Sequence, residues 1–106
     1  MDGEDGATQV LDVKERFPEN GTLAAVTAWR VPDSDRYPNG VRYSMQYGRI
    51  EGKTIIRYDN FPDHPGAAKH HKHVGEEEVE DVEFRGLSSL FRRFKQEVRT
   101  HGEHWP

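Results

Sequence analysis

The residues best equipped for chemistry are crowded into one stretch, RYDNFPDHPGAAKHHKH, residues 57 to 73. It holds four of the six histidines (His64, His70, His71 and His73), two aspartates, three cations and two prolines. Two kinds of chemistry suit that inventory. One is metal-independent cleavage of RNA, which needs a base to take the proton of a 2′-hydroxyl, an acid for the departing 5′-oxygen, and cations for the charge that builds on phosphorus. Imidazole, with an ordinary pKa near 6.5, serves either proton transfer. In this reading His64, His70, His71 and His73 supply acid and base and Asp59 orients one of them. Arg57 and Lys72 hold phosphate, and Tyr58 or Phe61 stacks on an unpaired base. The other chemistry is metal-dependent hydrolysis, with His64, His71, His73 and Asp59 as ligands and an open position for water. A third reading makes the stretch a shaped polar loop on a non-enzymatic module that binds protein or nucleic acid.

Whatever its use, the stretch needs a scaffold. Pro62 and Pro65 stop strand pairing and hold Phe61 and His64 extended, so the histidines follow the end of a strand. Alternation puts Arg57 and Asp59 on one face of that strand and Tyr58, read as a core residue, on the other. Asn60 reads as a turn residue. If residues 70 to 74 are extended, His71 and His73 project to one side and His70 and Lys72 to the other.

The strands upstream are legible by their period of two. TQVLDVKERF is a weak strand ended by Pro18, and PENG is a turn. In TLAAVTAWRV, residues Leu23, Ala25, Thr27, Trp29 and Val31 share a face. In VRYSMQY, Val41, Tyr43, Met45 and Tyr47 alternate with polar residues, as in a half-buried antiparallel strand. The Gly-flanked GRIEGK joins it to KTIIRYDN as a hairpin. Downstream the period changes. Leu87, Leu90, Phe91, Phe94 and Val98 form one stripe of an α-helix, with Ser88 as the expected N-cap and Gly102 just past the end. The other helix face carries Arg92, Arg93, Lys95 and Arg99. The expected fold is α+β, an antiparallel meander of four or five strands with the C-terminal helix packed on one face. The expected organisation is an acidic tail (1–7), one domain (8–101) and a short C-terminal tail (102–106).

Composition limits the rest. A chain of 106 residues supports one modest core. No stretch of about 18 apolar residues is present to span a bilayer, and the acidic start, MDGEDGATQ, is unlike a secretory signal. A cytoplasmic protein is expected. The absence of cysteine excludes disulfides and thiolate chemistry. The net charge of −4 conceals segregation, because EEEVEDVE at 76 to 83 carries six acids whereas residues 85 to 99 carry five bases and one acid. Nucleic acid is therefore not excluded as a partner.

The order of these parts is more specific than any one of them. The aromatic strand Y-x-M-x-Y (Tyr43 to Tyr47) is followed by R-Y-D-N with a P-x-H-P turn (Arg57 to Pro65). Next come H-H-K-H-V-G (His70 to Gly75), an acidic patch and an amphipathic helix. This order resembles the TumE family of toxins over roughly residues 20 to 100. Two features depart from the family pattern: Asp63 stands where a first histidine of the turn is expected, and GAAK replaces a Phe-Pro. The resemblance implies a small prokaryotic toxin of a type II toxin–antitoxin pair, neutralised by contact with a helix-turn-helix antitoxin. By analogy with toxins of this size it implies action on RNA, with Arg92 and Arg93 available to phosphate or to the antitoxin.

Overall fold

The computed structural model describes residues 6–60, 69–75 and 78–106. Their strands form one antiparallel sheet in which every strand lies beside its neighbour in sequence: β1 (Thr8–Phe17), β2 (Thr22–Arg30), β3 (Val41–Arg49), β4 (Thr54–Asp59), β5 (His71–Val74) and β6 (Glu78–Asp81). Among the described residues a single helix, α1 (Leu87–Arg99), follows. The expected α+β architecture is present, with six strands rather than four or five. The additional strand, β6, comes from the acidic run. All four of its residues are exposed, so it has no apolar alternation by which to announce itself. Among the described residues, no helix is long and apolar enough to cross a membrane.

Volume complementarity builds the core. Val41, Tyr43, Met45 and Tyr47 of β3 are buried as their alternation predicts. On β2 the buried parity is Ala24, Val26 and Ala28, not the Leu23, Ala25, Thr27 and Trp29 set. Register supplies the reason: Ala24 faces Tyr47, Val26 faces Met45 and Ala28 faces Tyr43, so small side chains on β2 make room for large ones on β3. Gly48 ends the β3 pattern where the β3–β4 hairpin tightens. A Cβ there would lie 2.5 Å from the Lys53 carbonyl oxygen, so only glycine fits.

The helix lays Leu90, Phe94 and Val98 on this face, each contributing about 1.5 to 3 kcal/mol by burial. Phe94 meets Tyr58 edge-on at 5.8 Å between ring centroids. The N-cap is Gly86, which offers no side-chain cap and lies two residues before the expected Ser88. Gly102, at φ 93°, closes it as expected. Residues 102–106, set apart in the sequence as a tail, bring Glu103 and Trp105 into the interior, where Trp105 touches Phe17, Phe91 and Phe94. The tail assigned to 1–7 lies outside the described residues as far as residue 5.

Candidate functional site

The helix covers one face of the sheet, and the chemistry-bearing residues divide between the two faces. On the face away from the helix, β4 and β5 pair so that Asp59 stands opposite His71 and Arg57 opposite His73. Four titratable side chains thus form a square two residues long and two strands wide. Asp59 is its buried corner, with 4% of its surface exposed. Its Oδ2 lies 2.8 Å from Nε of Arg57, close enough for a strong Coulombic contact but out of line for a hydrogen bond. The same oxygen is 3.6 Å from Nε2 of His73. The imidazoles of His71 and His73 stand edge to face with centroids 6.0 Å apart, and the buried Nδ1 of His71 has no hydrogen-bond partner among the described residues. Beside Arg57 and His73 an open cleft of about 360 Å³ continues to Lys53, Thr54 and Gly75.

Backbone anchoring keeps this corner in place. Asn60, immediately after Asp59, is buried rather than a turn residue. Its side-chain Oδ1 accepts from the Tyr43 N–H at 3.0 Å and its Nδ2 donates to the Val41 carbonyl at 2.8 Å. The amide prolongs the β3–β4 ladder past the last strand residue, satisfying two backbone groups of β3 that would otherwise be buried without partners.

A strand order, a helix and a histidine cluster in these positions can be set beside known families. The model of the family described as toxin TumE matches residues 4–101, nearly the whole chain. The chain belongs to the TumE toxin family. No curated protein and no solved structure matches it.

In this chain the remaining sequence-predicted residues lie on the helix side of the sheet or outside the described residues. His64 is among the latter, as are Phe61 and Asp63. His70 packs away from His71 and His73. Its ring stacks on Phe84 at 4.4 Å, Nδ1 is 2.8 Å from the Tyr43 hydroxyl and Nε2 is 2.9 Å from the Asn39 amide oxygen. Both ring nitrogens are therefore engaged, Nε2 donating to Asn39 and Nδ1 accepting from Tyr43. Burial, and secondarily the neighbouring His71, push its pKa down, so the neutral ring is the one that fits there. The geometry separates His70 from the other two histidines.

The intended phosphate and base contacts divide in the same way. Tyr58 is fully buried beneath the helix, and its hydroxyl donates to Glu97. Burial first, and then that carboxylate, raise the Tyr58 pKa. Lys72 reaches the other oxygen of Glu97 at 2.5 Å, while Arg93 lies 5.7 Å from the centre of the Tyr58 ring. Arg92 and Arg93 line a shallow cleft with Ser89, Gln96 and Glu97. Only Arg57, of the cations named from the sequence, shares a face with His71, His73 and Asp59. Glu97 was missed because a lone acid on a basic helix face carries no signal of what lies beneath it. Ser44 and Gln46, the β3 partners of Asp59 and Arg57, were legible only as the wet parity of their strand.

The cluster can also be tested as a metal centre. One ligand atom from each of Asp59, His71 and His73 lies within 4.8 Å of the other two, and two imidazoles with a carboxylate are a donor set that divalent zinc accepts. The Arg57 guanidinium already lies on one oxygen of that carboxylate.

Proposed function

We propose that this chain is the toxin of a toxin–antitoxin pair and that it arrests growth by cleaving RNA in the cytoplasm without a metal. The observation that carries the reading is the square of Asp59, Arg57, His71 and His73 on one sheet face. One imidazole takes the proton of a 2′-hydroxyl as its oxygen attacks phosphorus. The other gives a proton to the departing 5′-oxygen. The products are a 2′,3′-cyclic phosphate and a free 5′-hydroxyl, so protons and bonds balance. Asp59 positions His73, and the adjacent Arg57 meets the charge on the non-bridging oxygens. Purified protein should degrade RNA in EDTA, and replacing His71 and His73 together by alanine should abolish both cleavage and toxicity. Undiminished cleavage by the double variant rejects this assignment.

The convergence of Asp59, His71 and His73 favours a second reading, in which the same residues hold a divalent ion for hydrolysis. The position of Arg57 argues for the first: a guanidinium 2.8 Å from Asp59 repels a cation but attracts a phosphate. Cleavage that disappears in EDTA, with stoichiometric metal in the isolated protein, decides for the second.

The antitoxin partner belongs to the same proposal. Arg92 and Arg93 lie on the helix side, across the sheet from the histidine pair, and suit a protein contact better than the scissile phosphate. A small helix-turn-helix protein encoded in the adjacent reading frame would support the pairing.

A further inference from the structure

Among the described residues no helix packs on the sheet face that carries the site, and that face extends beyond it. Its residues form a grid, because each outward position on one strand is registered with an outward position on the next. Reading across, Thr27 faces Ser44 and Ser44 faces Asp59, which faces His71. Two residues along the strands from that row, Trp29 of β2 stands opposite Arg42 of β3. The Arg42 guanidinium carbon lies 6.0 Å from the centre of the Trp29 ring. Both side chains are half-buried, whereas the second tryptophan of the chain, Trp105, is buried in the core. At about 3.4 Å per residue and about 4.8 Å per strand, the indole lies about 12 Å from Asp59 on the same surface.

Tryptophan on the outward parity of β2 is unexpected on packing grounds. The core side of that strand is filled by Ala24, Val26 and Ala28, and an aromatic ring of this size is usually placed where its area is buried. Here it carries a cation at cation–π distance and is only half-buried. An aromatic ring with a guanidinium beside it, on an open sheet, is a surface on which an unpaired base stacks, and Arg42 can at once meet a phosphate. The face also carries Arg57 and, in register with the outward positions of β2, Lys14 and Arg16, cations that suit a polyanion, while Asp12 opposite Thr27 and Asp81 opposite His71 close the two ends of the row. Duplex RNA keeps its bases stacked on each other, so the geometry favours single strands.

We propose that Trp29 and Arg42 form a base-stacking subsite for single-stranded RNA that leads across the open sheet into the Asp59–His71–His73 centre. This rests on the reading of that centre as an RNA-cleaving site. It adds a substrate class, single-stranded RNA, and a direction of approach, from β2 towards β5.

The chain itself supplies the probe, since Trp29 is the accessible tryptophan. Titrating the wild-type protein in EDTA with a 2′-O-methyl oligoribonucleotide, which cannot be cut through its 2′-oxygen, should quench tryptophan emission. In cleavage assays on an unmodified oligomer, Trp29→Ala and Arg42→Ala should each raise KM about tenfold with kcat unchanged, because the contact is the same in ground and transition states. Trp29→Phe should restore most of the affinity while removing the quench, which separates loss of stacking from loss of folding. Cleavage by the wild type with no quench, and with KM unchanged in both variants, overturns the subsite and leaves the cleavage reading standing. A wild type that neither binds nor cuts RNA removes both. If Trp29→Ala keeps its KM for RNA but escapes inhibition by the antitoxin, the face belongs to a protein partner and the subsite is rejected.

Discussion

Two carboxylates in this molecule are almost equally buried, Asp59 at 4% exposure and Glu103 at 6%, and they are held in opposite ways. Glu103 is saturated by neutral donors: Asn20 donates to one oxygen at 2.8 Å, and Thr22, at 2.5 Å, and Tyr47 donate to the other. Burial alone would raise its pKa, but the hydrogen bonds from Thr22, Tyr47 and Asn20, with His101 nearby, outweigh that and hold it below its ordinary 4.5. Asp59 instead has cationic or titratable neighbours at imperfect geometry, a misaligned guanidinium and an imidazole at 3.6 Å. A carboxylate whose bonding capacity is filled locks chain segments together. One that, among the described residues, meets no aligned donor and stands beside proton carriers can still act on something that arrives. That difference, more than burial, separates a structural acid from a candidate catalytic one.

The contrast makes opposite predictions for the two acids. Asp59→Asn should lower RNA cleavage by at least about a hundredfold, within the range of general acid–base catalysis. It should change stability by only about 1 kcal/mol or less, since Arg57 can turn to water. Parallel cleavage rates and thermal melts check both halves, and a large loss of stability with normal cleavage would reverse the assignment of roles. Glu103→Ala should do the converse. It strands three donors, each worth roughly 1 to 3 kcal/mol when buried without a partner. A destabilisation of about 3 kcal/mol is expected in chemical denaturation, with cleavage per folded molecule preserved.

Two smaller effects sharpen the comparison through pH. Because the folded pKa of Glu103 is depressed, its contribution is complete above about 4.5 and is lost as pH falls through the folded value. The Tm difference between wild type and Glu103→Gln should be constant near neutrality and shrink in acid below that point. His70 has the same sense from a different cause. Its folded pKa is lowered by burial and then by His71, so unfolded chains take up a proton near 6.5 that the fold resists. Stability from this group is complete above about 6.5 and declines below it. His70→Gln should flatten that part of the Tm profile while leaving cleavage intact.

Much of the scaffold could be read without coordinates because its signals were strong and local. The β3 alternation of Val41, Tyr43, Met45 and Tyr47 and the helical stripe of Leu90, Phe94 and Val98 are patterns that only one burial assignment satisfies. β2 was harder, since apolar residues occupy both parities and only the bulk of Tyr43, Met45 and Tyr47 across the register decides which side is inward. β6 was illegible, with three of its four residues charged and all four exposed. In the site, proximity along the chain was a poor guide. Lys72 lies between His71 and His73 in sequence, yet alternation sends it through the sheet to Glu97. The same alternation placed His71 and His73 together, and the structure agrees. Asn60 was misread because an asparagine before an aromatic and a proline has the composition of a turn. Its actual work, bonding two backbone groups of β3, depends on a partner 17 residues away.

The acidity of β6 has a meaning for how copies of this chain behave in a crowded solution. A sheet border with open amides and carbonyls is a template onto which another molecule can add. Here Glu78, Glu80 and Asp81 confront any like border with carboxylate against carboxylate, so the meander resists growing into a larger assembly although Val79 lies bare among them. Neutralising those three side chains would lift that repulsion and leave a sheet ready to polymerise.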